Sequence, residues 1–285
     1  MRLPRFLRLL FFCGLFLAAP ASRSADFPKR ILSLAPNVTE MLYFLGLGDR
    51  VVGVTQFSDY PPEAQRKPKV GSFVRLNLER ILSLKPDLAI STADGNPAPQ
   101  IARLQELGIP VLRIDPRTLP QMLESLVRIG VRAGIPDQAK ARARALREQI
   151  EALTARVRDL PKPLVFLQLS LKPLISANKN TYLNDLIERA GGRNLTRDLP
   201  NPYPRVSLET VLTGKPEILL ILAQSPRAEK AARTFWPRWR RIPAVRNGRV
   251  YALDADLLTR PGPRAPEALE RLIPLFHPEL SDLEP

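Results

Sequence analysis

The chain has 285 residues, a formal net charge of +15, one histidine and one cysteine. Its length favours two lobes over one large core. Because His277 is the single histidine, Ser-His-Asp catalysis and a multi-histidine metal site are excluded, and we expect this residue at the surface. We therefore expect neither a catalytic residue nor a metal ligand.

Residues 1–21 have the pattern of a secretory signal peptide. Three arginines precede an apolar run too short to span a bilayer, and small residues occupy the cleavage positions. Cleavage is expected after Ala21, with Ser24 as the alternative. Cys13 follows the large Phe12, so lipid attachment is not expected. We predict an exported, soluble chain without a membrane anchor, and export with dispersed basic charge argues against nucleic acid as a partner.

Strands and helices alternate through the first part of the remaining chain. Repeated β-α-β units with short loops predict a mostly parallel sheet covered by helices. The predicted strands are 30–34, 51–55, 69–73, 87–91 and 111–114, and the predicted helices are 38–45, 78–84 and 98–107.

A helical region follows at 119–160. It breaks at Gly134-Ile-Pro136, and 137–160 continues without Gly or Pro, with an apolar stripe and a charged opposite face. At 1.5 Å per residue this helix would span about 35 Å, which makes it a candidate strut between two lobes.

The remaining chain repeats the alternation of the first lobe. Its predicted strands are 163–170, 217–223 and 250–253, and its predicted helices are 182–190, 208–213, 229–239 and 263–276. The basic-aromatic run at 233–241 is interpreted as a solvated helix end whose Trp236 and Trp239 pack on the lobe, rather than as a polyanion or membrane contact.

Residues 77–90 return in similar form as 207–220. Each copy has a polar N-cap, Asn77 or Ser207, an apolar stripe, and Lys-Pro after the helix. Each also carries a glutamate in the first helical turn, Glu79 or Glu209. Two interpretations of these glutamates are open from the residues alone. Each is stabilised by the dipole of its helix, or the pair docks on a two-fold symmetric partner.

The sequence thus predicts an α/β protein of two similar lobes with mostly parallel sheets, joined by a single long helix. The predicted divisions are the signal peptide at 1–21, an N-terminal ligand-binding lobe at 22–118, linking helices at 119–160 and a C-terminal ligand-binding lobe at 161–285.

Loops at the carboxyl ends of the strands are the expected ligand site. They are 56–60, 73–75, 91–96, 168–172, 201–204 and 254–260. Their aromatic and polar residues suit a flat, largely apolar ligand with hydrogen-bonding edges. Asp254 and Asp256 could serve as a general acid and base, but turn formation or ligand hydrogen bonding is favoured because no catalytic partners can be placed.

Residues 54–64 (Val-Thr-Gln-Phe-Ser-Asp-Tyr-Pro-Pro-Glu-Ala), with 70–73 and 77–81, resemble the vitamin B12 periplasmic binding proteins of ABC importers. These lie within the wider family of cobalamin, haem and ferric-siderophore binders. Further matches are 85–88, 165–168, 202–209, and Asp256 with Arg260. The resemblance covers the whole mature chain.

The resemblance implies a periplasmic, monomeric carrier that holds cobalamin or a related corrinoid between its lobes. The corrinoid is the transported ligand and not a cofactor, and the partner is an inner-membrane ABC permease and ATPase complex. The resemblance places permease docking on Glu79 and Glu209. It places the ligand contacts on Phe57, Phe73, Thr92, Tyr203, Asp256 and Arg260.

Four aromatic positions depart from the pattern of the resembled proteins. Those proteins have tyrosine at Phe57 and tryptophan at Phe73, Thr92 and Tyr203, so the pocket could favour cobinamide, another corrinoid or a different macrocycle. A haem or ferric-siderophore carrier is the alternative. Haem would require Tyr60 or Tyr203 as iron ligand, whereas a siderophore would use a basic rim of Arg75, Arg205 and Arg260. A secreted hydrolase using Asp254 and Asp256 is the third interpretation.

Overall fold

The computed structural model describes residues 27–223 and 225–283. The predicted signal peptide at 1–21, with Cys13 and both candidate cleavage positions, lies outside these residues. Across the two described ranges, no helix has both the length and the apolar character needed to cross a membrane.

In the part of the first lobe that the structure describes, there are four strands and three α-helices. They are β1 (Ile31–Ser33), β2 (Val51–Gly53), β3 (Leu88–Thr92) and β4 (Val111–Ile114), with α1 (Pro36–Phe44), α2 (Leu78–Ser83) and α3 (Ala98–Glu106). The strands form one parallel sheet in the order β2-β1-β3-β4. All five residues of β3 are buried, as expected of a strand covered on both faces.

The strand predicted at 69–73 is wrong. Lys69 makes only an isolated parallel bridge with Val54, and Gly71 makes an isolated antiparallel bridge with Leu76. Gly71 has a φ of +104°, so the chain turns there instead of continuing as an extended strand.

Among the described residues, the second lobe contains six strands and six α-helices. The strands are β5 (Leu164–Gln168), β6 (Ser170–Leu171), β7 (Leu174–Ile175), β8 (Arg193–Asn194), β9 (Ile218–Ala223) and β10 (Val250–Asp254). The helices are α6 (Tyr182–Arg189), α7 (Leu208–Gly214), α8 (Pro226–Phe235), α9 (Pro243–Arg246), α10 (Ala255–Thr259) and α11 (Ala265–Phe276). Four strands form a parallel sheet in the order β10-β9-β5-β8, and β6 with β7 form an antiparallel hairpin.

The repeat seen in the sequence is also a repeat of topology. Strands β5, β8, β9 and β10 take the places that β1, β2, β3 and β4 take in the first sheet. Helices α2 and α7 begin as predicted, because Asn77 and Ser207 each accept a hydrogen bond of 3.0 Å from the backbone N–H three residues on. After the helices, Lys85 and Lys215 both turn the chain with positive φ values of 44° and 49°.

Two packed helices, α4 (Leu119–Arg132) and α5 (Pro136–Ala155), join the lobes. They approach closely where a side chain on Gly130 would meet Ala139 at 2.1 Å. Near its start, α5 contacts the end of α1, since the Gln138 amide donates to the Leu45 carbonyl at 3.4 Å. Further along, α5 packs against α11 of the second lobe. It therefore contacts both lobes, as expected of the strut.

The strut helix is shorter than the 137–160 predicted. It has 20 residues and is about 30 Å long. Beyond Ala155 the backbone tightens into hydrogen bonds that span three residues, and Val157 turns inward to pack beside Gly191. The domain boundaries at 118 and 160 stay a prediction.

A continuous apolar core runs through both lobes and the linking helices. A partly buried polar contact also links the linking helices to the second lobe, because Asp185 of α6 accepts a hydrogen bond of 2.9 Å from the backbone N–H of Leu119. The expected surface position of His277 is wrong, since only 1% of this residue is exposed. Its ring lies against Gly191, which has no side chain and therefore leaves room for the imidazole.

Candidate ligand-binding cleft

Loops at the carboxyl ends of the strands meet where the two lobes face each other. In the first lobe, the loop after β2 carries Asp59 and the loop after β3 carries Asp94. In the second lobe, Tyr203 precedes α7 and Arg260 follows α10. Arg260 contacts Asp59, and Tyr203 contacts Asp94, so two separate bridges cross the cleft.

The first bridge is centred on Arg260. Its Nη1 donates to Asp59 Oδ1 at 2.7 Å and lies 3.4 Å from Glu40 Oε1, both in the first lobe. Its Nη2 lies 2.7 Å from Asp256 Oδ2 in its own lobe. Only 8% of the Arg260 side chain is exposed. Its donors are therefore directed at carboxylates instead of forming a free basic rim.

Arg264 completes this bridge from the start of α11. Its Nε and Nη2 donate to the two carboxylate oxygens of Glu40 at 2.9 and 2.8 Å, which is the bidentate geometry of a strong ion pair. The same guanidinium lies over the Tyr60 ring, 4.2 Å from its centroid. We call the charged residues of this bridge the cross-lobe cluster. Its members are Glu40, Asp59, Asp256, Arg260 and Arg264.

Burial and pairing act in opposite directions on the carboxyl groups of the cluster. Burial raises the pKa of Glu40 despite the hydrogen bonds and charges of Arg264 and Arg260. For Asp59 burial also acts to raise the pKa, but the hydrogen bond and charge of Arg260 outweigh it and the pKa is lowered. Asp59 thus favours its charged form. The effect of burial is larger for Glu40, because only 1% of its side chain is exposed.

The second bridge links Tyr203 to Asp94. The Tyr203 hydroxyl donates to Asp94 Oδ2 at 3.2 Å. Burial, followed by the charge and hydrogen bond of Asp94, raises the pKa of Tyr203 to about 12. A shallow pocket of about 400 Å³ opens beside this tyrosine. Its lining residues are Leu199, Pro200, Asn201, Tyr203, Pro204 and Arg205.

The end of β3 is organised by Asn96. Its carboxamide accepts a hydrogen bond of 2.8 Å from the Thr92 backbone N–H, and its amide nitrogen donates to the carbonyl oxygens of Leu34 and Phe73 at 2.9 and 2.7 Å. Thr92 itself is only 5% exposed. The ring of Phe73 lies against Gly95, where an added Cβ would be 2.6 Å from it. This loop therefore needs a glycine to seat Phe73.

The predicted aromatic contacts differ in exposure. Phe57, Tyr60 and Tyr203 are 59%, 41% and 47% exposed, which is high for large apolar side chains. Phe73 is half-buried. Rings from both lobes therefore present apolar surface, and Asp256 presents an exposed carboxylate in the same region as Arg260.

Glu79 and Glu209 lie in the first turns of α2 and α7 and are both exposed. Each follows a capping residue by two positions, so the two carboxylates occupy equivalent places in the two lobes. Dipole stabilisation at a helix start is compatible with this geometry, and so is contact with a partner.

Asp254 acts as a structural residue at the start of α10. Its Oδ1 accepts a hydrogen bond of 2.8 Å from the Asp256 backbone N–H, as an N-cap does. The basic-aromatic run also packs as predicted, since Trp236 is fully buried and its indole N–H donates to Gln168 at 2.7 Å. Among the described residues, no group of three or more histidine, cysteine or acidic side chains is arranged to hold a metal ion.

Sequence reasoning missed Glu40, Asp59 and Arg264 as parts of the site. Glu40 lies within the helix predicted at 38–45, and nothing in that local pattern identifies its partner. Asp59 lies within a loop assigned to the site, but its partner could not be identified from the sequence. Arg264 lies 224 positions from Glu40, so no local pattern connects the two.

The fold and the cleft define a two-lobed binding protein with parallel sheets and a helical strut. A family model described as periplasmic binding protein matches residues 31–257. The chain belongs to this family, whose members bind substrates and are not enzymes.

Individual relatives cover most of the chain. The vitamin B12-binding protein of Vibrio parahaemolyticus is 35% identical over 242 residues, which are 85% of this chain and 86% of that protein. The solved structure of the periplasmic vitamin B12 binding protein BtuF of Vibrio cholerae has a TM-score of 0.78 at 32% identity, covering 90% of this chain and 99% of that chain. The periplasmic heme-binding protein RhuT from Roseiflexus sp. RS-1 has a TM-score of 0.79 at 30% identity, covering 88% and 98%.

Proposed function

We propose that this protein captures cobalamin or a related corrinoid in the cleft between its lobes and delivers it to an ABC importer. The observation that carries the proposal is the similarity to proteins named for vitamin B12 binding, at 35% identity over 85% of the chain. The cleft agrees with it, because exposed rings and carboxylate oxygens suit a large flat ligand edged with amide groups.

The proposed ligand contacts are those named from the sequence. Phe57, Phe73 and Tyr203 would pack on the ring system, and the exposed carboxylate of Asp256, held by the buried Arg260, would meet polar groups on its edge. Tyr60 would contribute a ring held in place by Arg264. Thr92 is buried, and we propose that it contributes through the loop that Asn96 fixes to its backbone N–H. No tryptophan is needed in this pocket to present aromatic surface from both lobes.

A haem or ferric-siderophore carrier is the second candidate, favoured by the similarity to a heme-binding protein at a TM-score of 0.79. One of the two candidate iron ligands is already engaged. The Tyr203 hydroxyl donates to Asp94, which favours the phenol over the phenolate. A basic rim for an anionic siderophore would lose Arg260, which is buried among carboxylates.

We also propose that Glu79 and Glu209 dock the protein on its membrane partner. Their exposure and their equivalent places on α2 and α7 support contact with a partner whose own two halves are similar. Carboxylates in this position would pair with basic side chains of a permease and ATPase complex. On this proposal the protein works as a monomer in the periplasm, without a membrane anchor.

A ligand panel tests the function. Thermal unfolding of the purified mature protein would be followed with cyanocobalamin, cobinamide, haemin and ferric enterobactin. A ligand present at 100 times its Kd stabilises the folded state by about 2.7 kcal/mol, so the cognate class should raise the melting temperature clearly. We expect stabilisation by a corrinoid. Stabilisation by haemin or the siderophore, with none by either corrinoid, would contradict the proposal.

A further inference from the structure

We propose that Asp59 is a specificity-determining residue, and that the cross-lobe cluster selects a ligand edge of neutral amides over one that carries a carboxylate. The inference rests on the proposed function and specifies which chemical groups of the ligand the cleft binds beside the cross-lobe cluster.

The cluster holds more negative than positive groups. Its three carboxylates, on Glu40, Asp59 and Asp256, face only two guanidinium groups. Two further charges act on it with opposite signs, namely Lys69 on Asp59 and Glu267 on Arg264. With all groups ionised, this end of the cleft therefore carries a net negative charge.

Accessibility adds to this imbalance. The side chains of Asp59 and Asp256 are 50% and 56% exposed, whereas those of Arg260 and Arg264 are 8% and 14% exposed. The guanidinium donors are turned inward to the carboxylates. An incoming ligand therefore meets acceptor oxygens, and not a free cation.

Such a surface discriminates between two kinds of macrocycle edge. The primary amides on the rim of a corrinoid can donate N–H groups to Asp59 and Asp256, and such charge-assisted hydrogen bonds are strong. A carboxylate in the same place would offer no donor and would face like charge. Haem carries two such carboxylates, so the cluster disfavours it at this end.

Glu40 helps to keep this surface negatively charged, although it is too deeply buried to touch a ligand. By pairing both of its oxygens with Arg264, it neutralises the one guanidinium that could otherwise have turned toward Asp59 or Asp256. Glu40 is therefore a positioning residue, while Asp59 has a side chain open to the ligand.

The test uses ligands that differ by one amide. Mild hydrolysis of cyanocobalamin gives three monocarboxylic acids, in each of which one propionamide has become a carboxylate. Their affinities would be measured by calorimetry for the wild-type protein, for Asp59→Asn, and for Asp49→Asn as a control in which an exposed carboxylate outside the cluster loses its charge. Thermal unfolding of each variant checks that it is folded.

We expect at least one monocarboxylic acid to bind the wild-type protein roughly tenfold more weakly than cyanocobalamin. Asp59→Asn should reduce that penalty to about threefold or less, and Asp49→Asn should leave it unchanged. Equal binding of all three acids and cyanocobalamin, or a penalty that persists in Asp59→Asn, would overturn the inference while leaving the proposed function intact. Failure of the wild-type protein to bind cyanocobalamin would instead overturn the proposed function itself.

Discussion

The hydroxyl of Tyr203, in the second lobe, donates a hydrogen bond of 3.2 Å to the carboxylate of Asp94, in the first lobe. This contact is separate from the ion pairs of Arg260, because Asp94 lies on the loop after β3 whereas Asp59 lies on the loop after β2. The two lobes are therefore held to each other through loops of two different strands.

The Tyr203 contact predicts an alkaline titration. Burial and Asp94 raise the pKa of Tyr203 from 10 to about 12, so its contribution to stability is complete below pH 10 and is lost as the pH rises toward 12. Asp94→Asn should lower the pKa of Tyr203, as measured by tyrosinate absorbance after subtraction of the Tyr203→Phe titration. Asp198→Asn, at an exposed carboxylate of the second lobe, is the control. An unchanged pKa in Asp94→Asn would show that this carboxylate does not act on the tyrosine.

The ion pair between Glu40 and Arg264 predicts a large stability effect. Glu40→Ala leaves a buried guanidinium without its partner, and we expect the free energy of unfolding to fall by about 3 kcal/mol. Glu124→Ala, at an exposed glutamate of α4, should change it little. Urea denaturation measures both.

A double-mutant cycle separates the pair from simple loss of packing. Because Glu40→Ala and Arg264→Ala remove the same interaction, the double variant should lose clearly less stability than the sum of the two single losses. Additive losses would mean that the two side chains contribute independently.

The packing of the Phe73 ring against Gly95 predicts that position 95 requires a glycine. Gly95→Ala would place a Cβ 2.6 Å from the Phe73 ring at a φ of +122°, so we expect a loss of about 2 kcal/mol in the free energy of unfolding and weaker corrinoid binding. Gly108→Ala is the matched control, since its φ is also positive, at +79°, but no atom lies within 4 Å of the added Cβ. It should cost about 1 kcal/mol and leave binding unchanged. Equal effects of the two variants on binding would contradict the role given to Phe73.

Docking through the repeated glutamates predicts a separation of binding from delivery. Glu79→Ala combined with Glu209→Ala should abolish stimulation of the cognate permease's ATPase activity and leave ligand affinity intact. Glu148→Ala with Glu151→Ala removes two exposed carboxylates from α5 and serves as the control. If stimulation persists in the first pair, both residues return to a role in helix capping.

The fold could be predicted because its signals are local and occur twice. Asn77 and Ser207 cap their helices, and the lysines at 85 and 215 end them, so two sheets followed from two copies of one pattern. The hairpin of β6 and β7 was missed because strands of two residues leave no periodicity to detect.

The site was predictable only in part. Exposed rings such as Phe57 could be assigned because they lie on loops after strands, whereas the cross-lobe cluster depends on tertiary contacts. Glu40 and Arg260 are 220 positions apart and Asp59 and Arg260 are 201 apart, and these tertiary contacts make Arg260 a buried partner instead of a free cation. Nothing in the sequence distinguishes the buried Thr92 from the exposed Asp94 two positions further on.

Calorimetric titration with cyanocobalamin tests the central claim most directly. The account predicts one site per chain with a Kd well below micromolar, weakened about tenfold or more in Phe57→Ala with Tyr203→Ala and unchanged in Phe27→Ala, whose exposed ring lies near the start of the described chain. Binding at micromolar or weaker affinity, or equal affinity in the cleft variant, would contradict it.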